Sequence, residues 1–109
     1  MKYETINVNE LKKLNESNDN FTLIDVRTHL ERIQAEIPIK SIHIPMNEIP
    51  DRLEELNNND NIIIYCKSGK RSARVCEYLT ENNFKRVANL SGGILAWAEQ
   101  INPELLFNL

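Results

Sequence analysis

The densest chemistry in this chain lies in Cys66-Lys67-Ser68-Gly69-Lys70-Arg71-Ser72. A single cysteine is followed by four cations, Lys67, Lys70, Arg71 and Arg74, with no acid among residues 67–74, although the whole chain has a formal charge of −3. Nearby positive charge favours thiolate over thiol. At a free pKa of about 8.5 only roughly 3% of a thiol is ionised at pH 7, and each unit of lowering multiplies that fraction by up to about ten. The segment reads as a nucleophilic cysteine inside an anion-binding turn. The other reading the local pattern allows is a buried strand-end cysteine followed by a solvated basic turn.

Such a turn needs elements on both sides to hold it. Ile62-Ile63-Ile64-Tyr65 is apolar on successive rather than alternate residues, the pattern of a strand covered on both faces in a parallel sheet, and it should be central. In open parallel sheets ligands bind off the carboxyl ends of the strands, which is where residues 66–72 fall. Gly69 can take dihedrals closed to other residues, and Ser72 suits the N-cap of a helix carrying Val75, Cys76 and Leu79. Loop N–H groups turned inward, with the helix dipole behind them, form a nest for negative charge.

Further strands are expected at Glu4–Asn7, Thr22–Val26, Ser41–Ile44 and Arg86–Asn89, and helices at Val8–Glu16, Pro50–Leu56, Ser72–Glu81 and Ile94–Ile101, with a weaker helical pattern at Thr28–Gln34. Asparagine gathers at 15–20, 57–61 and 82–83, each time between a helical pattern and a β-branched run. Asn tolerates the left-handed conformation that ends helices, so each cluster marks a helix-to-strand connection. The result is an α/β alternation.

With 109 residues, 41% hydrophobic and 27% charged, the chain has the size and composition of one globular domain, expected over 1–109. A net charge of −3 gives no support to nucleic-acid or anionic-membrane binding. Residues 1–20 contain no apolar leader core, and apolar runs reach only five residues, as in Ile62 to Cys66. A cytoplasmic protein with both cysteines reduced is expected. Two cysteines ten residues apart and two histidines, His29 and His43, are a poor metal-ligand set, so neither metal nor other cofactor is expected.

Four segments in order resemble the signatures of single-domain rhodaneses, thiosulfate or persulfide sulfurtransferases. These are Leu23-Ile24-Asp25-Val26-Arg27, then Ile37-Pro38 with Ile42-His43-Ile44-Pro45, then Tyr65 to Ser72, then Leu90, Gly92-Gly93 and Trp97. The resemblance implies a three-layer α/β fold with a five-stranded, mostly parallel sheet flanked by helices. It also implies that Cys66 takes a sulfane sulfur as a persulfide and passes it to a thiol, a sulfur-acceptor protein or cyanide. The donor would be a small anion such as thiosulfate, or a persulfide, held by Lys67, Ser68, Gly69, Lys70 and Arg71. Four residues separate Cys66 from Arg71, one fewer than in the Cys-x5-Arg phosphate cradle of tyrosine phosphatases. A Cys-based phosphatase or arsenate reductase, and a non-catalytic binding module, are the alternatives.

Other residues have plainer readings. Cys76 fits a core position, with a resolving thiol as its alternative; Trp97 reads as a core anchor, and Asp25 and Arg27 as structural supports of the loop wall. Gly92 and Gly93 should leave helix N–H groups free along the far side of the site. The sequence departs from the family pattern at Ala35-Glu36, where Gly-His is usual, at Ile39-Lys40, and at Arg32 or Ile33, where an aromatic is usual.

Overall fold

The computed structural model describes residues 3–109. Five strands, β1 (Glu4–Ile6), β2 (Thr22–Asp25), β3 (Ile42–His43), β4 (Asn61–Tyr65) and β5 (Arg86–Leu90), form one sheet in the order β1-β5-β4-β2-β3, with every pairing parallel. Four helices, α1 (Val8–Glu16), α2 (His29–Gln34), α3 (Lys70–Glu81) and α4 (Gly93–Gln100), join them, with 3-10 turns at Met46–Glu48, Pro50–Glu55 and Pro103–Asn108. The strands are one to two residues shorter or longer than the apolar pattern suggests. The expected helix at Pro50–Leu56 is a kinked 3-10 segment, with Arg52 at φ −124°.

Strand β4 is central, and its apolar run is explained by two cores. Ile63 and Tyr65 face a cluster with Val8 and Leu11 of α1 and Ile94 and Trp97 of α4. Ile62, Ile64 and Cys66 face the opposite cluster with Val75, Cys76 and Leu79 of α3. Side chains alternate across a strand, so both halves of the run need cover. This is the three-layer arrangement expected.

Two of the three asparagine clusters end helices as anticipated: Asn18 follows α1 at φ 57° and Asn83 follows α3 at φ 68°. The third makes a side-chain turn instead, the Asn59 N–H donating to Asn57 Oδ1 at 2.9 Å. Helix α2 has no buried residue, yet it forms because Thr28 and Glu31 build a reciprocal capping box. The atypical segment that follows is nonetheless well seated. Ala35, Ile37 and Ile39 are buried in alternation with exposed Glu36, Pro38 and Lys40.

Candidate functional site

The sulfur of Cys66 sits at the carboxyl end of β4, and the residue is only 1% exposed. Gly69 N–H donates to Sγ at 3.1 Å, Ser72 N–H at 3.4 Å and the Ser72 hydroxyl at 3.3 Å. The local chain folds this way because Gly69 takes φ 102°, turning the loop directly into α3. That corrects the expected role of Ser72. The N-cap is Gly69, the helix begins at Lys70, and Ser72 lies inside the first turn, fully buried, with its hydroxyl on the sulfur.

A serine hydroxyl has one hydrogen and here has two acceptors. Asn89 Oδ1 lies 2.6 Å from Ser72 Oγ, while Asn89 Nδ2 donates to the Gly69 carbonyl at 3.1 Å. Because a carbonyl only accepts, the amide orientation of Asn89 is dictated, and its oxygen must face Ser72. Asn89 thus ties strand β5 to both groups that hold the sulfur. The sequence patterns gave no hint of this residue, since nothing local distinguishes a polar strand residue that faces inward.

The loop carbonyls need partners if its amides are to point at sulfur, and α4 supplies them. Ile94 N–H donates to the Cys66 carbonyl at 3.0 Å and Leu95 N–H to the Lys67 carbonyl at 3.1 Å. These are the unpaired N–H groups of a helix start. They were expected to stay free along the site's far side; instead they are used to orient the loop. Gly93 permits the approach, because a Cβ there would collide with the carbonyl oxygens of Cys66 and Lys67.

Burial alone would push the Cys66 thiol up. It is outweighed by the Ser72 hydroxyl and by the amides of Ser72, Gly69 and Ser68, so the thiol is held below its ordinary value. Hydrogen-bond donors therefore outrank the cations stressed from sequence. Cys76, by contrast, is wholly buried, and burial followed by the Cys66 charge pushes its thiol up to about 12. Iodoacetamide alkylation of Cys66 is expected to show a pH midpoint below about 8.5, the free-thiol value. In Ser72→Ala the midpoint should move to higher pH; a midpoint at the free value in both proteins would remove the electrostatic account.

Around the loop, Lys67, Ser68 and Lys70 are exposed and Arg71 is half-buried. Arg71 is not isolated: its Nη1 and Nη2 donate to Glu31 Oε1 and Oε2 at 2.7 and 2.8 Å. Glu31, forty residues earlier on α2, was missed by the sequence reading, although its capping-box position marked it as an oriented carboxylate. Asp25 and Arg27, both buried, have the structural role expected of them, but they fill it by pairing directly with each other. Arg27 Nε and Nη2 donate to Asp25 at 3.0 and 2.8 Å, and Nη2 also donates to the Ala35 carbonyl at 2.7 Å. Tyr65 donates its hydroxyl to Asp25 at 3.0 Å and accepts from Ile37 N–H at 3.3 Å. Arg32, at an atypical position, joins Asp25 at 3.2 Å and Ser41 Oγ at 2.7 Å.

Neither histidine bonds to the sulfur. His43 Nε2 donates to the Arg27 carbonyl at 2.7 Å, and His29 is exposed beside Glu48. Trp97 is buried, with its Nε1–H donated to Asn102 at 2.6 Å. Among the described residues no group of three or more His, Cys, Asp or Glu side chains could hold a metal ion, and no helix is long and apolar enough to cross a membrane.

The sequence profile of the rhodanese-like domain matches residues 7–100. A protein named sulfurtransferase from Allochromatium vinosum is 43% identical over 81 residues, covering 74% of this chain and 75% of that protein. YtwF of Bacillus subtilis is 38% identical over 104 residues, covering 95% and 99%. The crystal structure of a rhodanese-like domain protein from Staphylococcus aureus superposes with a TM-score of 0.80 at 38% identity, covering 86% of this chain and 90% of that one.

Proposed function

Because the chain belongs to the rhodanese-like family and is a rhodanese-type sulfurtransferase, we propose that Cys66 is the nucleophile that carries the transferred sulfur as a persulfide. The observation that carries this reading is the focus of two amide donors, Gly69 N–H and Ser72 N–H, on one buried sulfur at the end of the central strand, with the Ser72 hydroxyl shared between that sulfur and Asn89 Oδ1. The Cys66 thiolate attacks the outer sulfur of thiosulfate or an organic persulfide. A Cys66 S–S bond forms, the donor S–S bond breaks, and sulfite or a thiolate leaves with the electron pair. A thiol, a sulfur-acceptor protein or cyanide then removes the outer sulfur by the same displacement in reverse.

Lys67, Ser68, Gly69 and Lys70 bind the incoming donor, whereas Arg71, expected to do the same, has both terminal nitrogens engaged by Glu31. The exposed lysines meet it from solvent, and the loop amides stabilise charge on the terminal sulfur as it develops. The reaction needs no general base when the thiolate is preformed and no metal or organic cofactor. Since it requires a reduced cysteine, the cytoplasm suits it. The competing phosphatase or arsenate reductase reading is disfavoured because the guanidinium fork it would aim at a phosphate is already occupied by Glu31.

Incubation with thiosulfate, or with an alkyl persulfide, followed by intact-mass measurement should show a gain of one sulfur atom, removable by cyanide as thiocyanate. No gain from either donor, with Cys66 still open to alkylation, would overturn the proposal.

A further inference from the structure

The cations of the loop are not equivalent. Among the described residues Lys67, Lys70 and Arg74 are exposed and have no carboxylate within 4.0 Å, whereas Arg71 is engaged at both terminal nitrogens by one carboxylate. Fork-to-fork pairing of this kind fixes geometry as well as charge.

Glu31 is itself held before it meets Arg71. Its Oε1 accepts from Thr28 N–H and Thr28 Oγ–H, each at 3.1 Å, while its own N–H donates back to Thr28 Oγ1 at 3.2 Å. The pairing therefore does not depend on a mobile side chain finding a partner. Both residues are largely covered, at 24% and 32% exposure, so bulk water screens the pair only partly. Arg71 also senses the Cys66 thiolate, after Glu31, as a source of stabilisation.

The consequence depends on the charge of the donor. Thiosulfate brings two negative charges to a thiolate, so three must share the site in the transition state; an alkyl persulfide without a carboxylate brings at most one, on its own ionisable outer sulfur. A free guanidinium beside the sulfur would favour the first far more than the second. We propose that Glu31 is a specificity-determining residue: by neutralising Arg71 it tunes the site away from dianionic thiosulfate and toward organic persulfides of low charge. This rests on the sulfur-transfer reading above and names its preferred donor class. Glu31 acts through Arg71 and touches neither sulfur nor donor.

The test is Glu31→Gln, which keeps an acceptor oxygen for the Thr28 N–H of the α2 capping box and changes little but the charge. Rates of sulfur transfer to cyanide are compared for thiosulfate and for the persulfide of N-acetylcysteine methyl ester, which has no carboxylate. The thiosulfate-to-persulfide ratio of kcat/KM should rise about tenfold or more in the variant, mainly through a lower KM for thiosulfate. The rise should disappear in Glu31→Gln/Arg71→Gln. A ratio that is unchanged or lower, with both donors losing rate in parallel, would mean that Glu31 only braces the loop and would overturn the inference. So would a gain that survives in the double variant. If wild-type protein loads sulfur from neither donor, the sulfur-transfer reading itself fails, an outcome distinct from either.

Discussion

Replacing Cys66 with serine is expected to end sulfur transfer, lowering kcat/KM by at least about 10⁴-fold, while leaving the fold in place. Serine fills nearly the same space at the end of β4, and its oxygen can accept from the Gly69 and Ser72 donors that now hold the sulfur. What it cannot do is ionise near neutral pH or carry a sulfane sulfur through a displacement. The loss should therefore appear as absent persulfide mass and absent thiocyanate, with an unchanged melting transition. Cys76→Ala is the matched control. Cys76 is buried among Ile64, Val75 and Leu79, and burial keeps its thiol protonated; its replacement should cost some stability and leave sulfur loading on Cys66 intact. If Cys66→Ser still accumulates sulfur, or if Cys76→Ala abolishes it, the assignment of the nucleophile is wrong.

The largest effect on stability should come from Arg27→Ala. Asp25 is 0% exposed and Arg27 1%, and the guanidinium meets both carboxylate oxygens. Removing one member of such a pair strands a buried charge, at a cost of about 3–5 kcal/mol. For a domain of this size that corresponds to a fall in Tm of roughly 12–20 °C. The pH dependence should change sign. In the wild type, burial raises the Asp25 carboxyl but the Arg27 bonds outweigh it and hold it below the usual range. Its stabilising contribution is therefore present above the unfolded pKa and lost as pH falls through the folded one.

In the variant the main counterweight to burial is gone. The carboxyl rises instead, so the deficit against wild type should shrink as pH is lowered and Asp25 takes up a proton. Thermal melts at pH 5 and pH 8 would show it. A Tm loss of less than about 4 °C, or a deficit identical at both pH values, would mean that Arg32 and Tyr65 alone sustain Asp25. Function should suffer too, because Tyr65 immediately precedes the proposed nucleophile and its hydroxyl is anchored on this carboxylate.

The central strand, the basic loop that follows it, the helix behind it and two of the three asparagine turns were legible in residue order. Each depends on short-range physics: the two-residue period of a strand, the freedom of Gly69, the tolerance of Asn18 and Asn83 for positive φ. The segment around Ala35 and Ile39 was harder, because its usual glycine and histidine are absent. Its conformation rests instead on alternating burial and on Arg27, Arg32 and Tyr65 reaching it from elsewhere. Ser72 was placed three residues wrong as the N-cap, for a related reason. Serine suits an N-cap by propensity, but with Gly69 at φ 102° the helix could begin earlier, and the hydroxyl was left facing the sulfur.

By itself the sequence determined that one cysteine ends the most buried strand and that a basic, glycine-containing turn follows it, since those facts need only neighbours along the chain. Which groups lower that thiol, and which cation is already neutralised, was decided by the tertiary structure. Asn89 reaches Ser72 across seventeen residues, and Glu31 reaches Arg71 across forty. Pairings of that length depend on where the parallel sheet sets down β5 and α2, and no local preference encodes them.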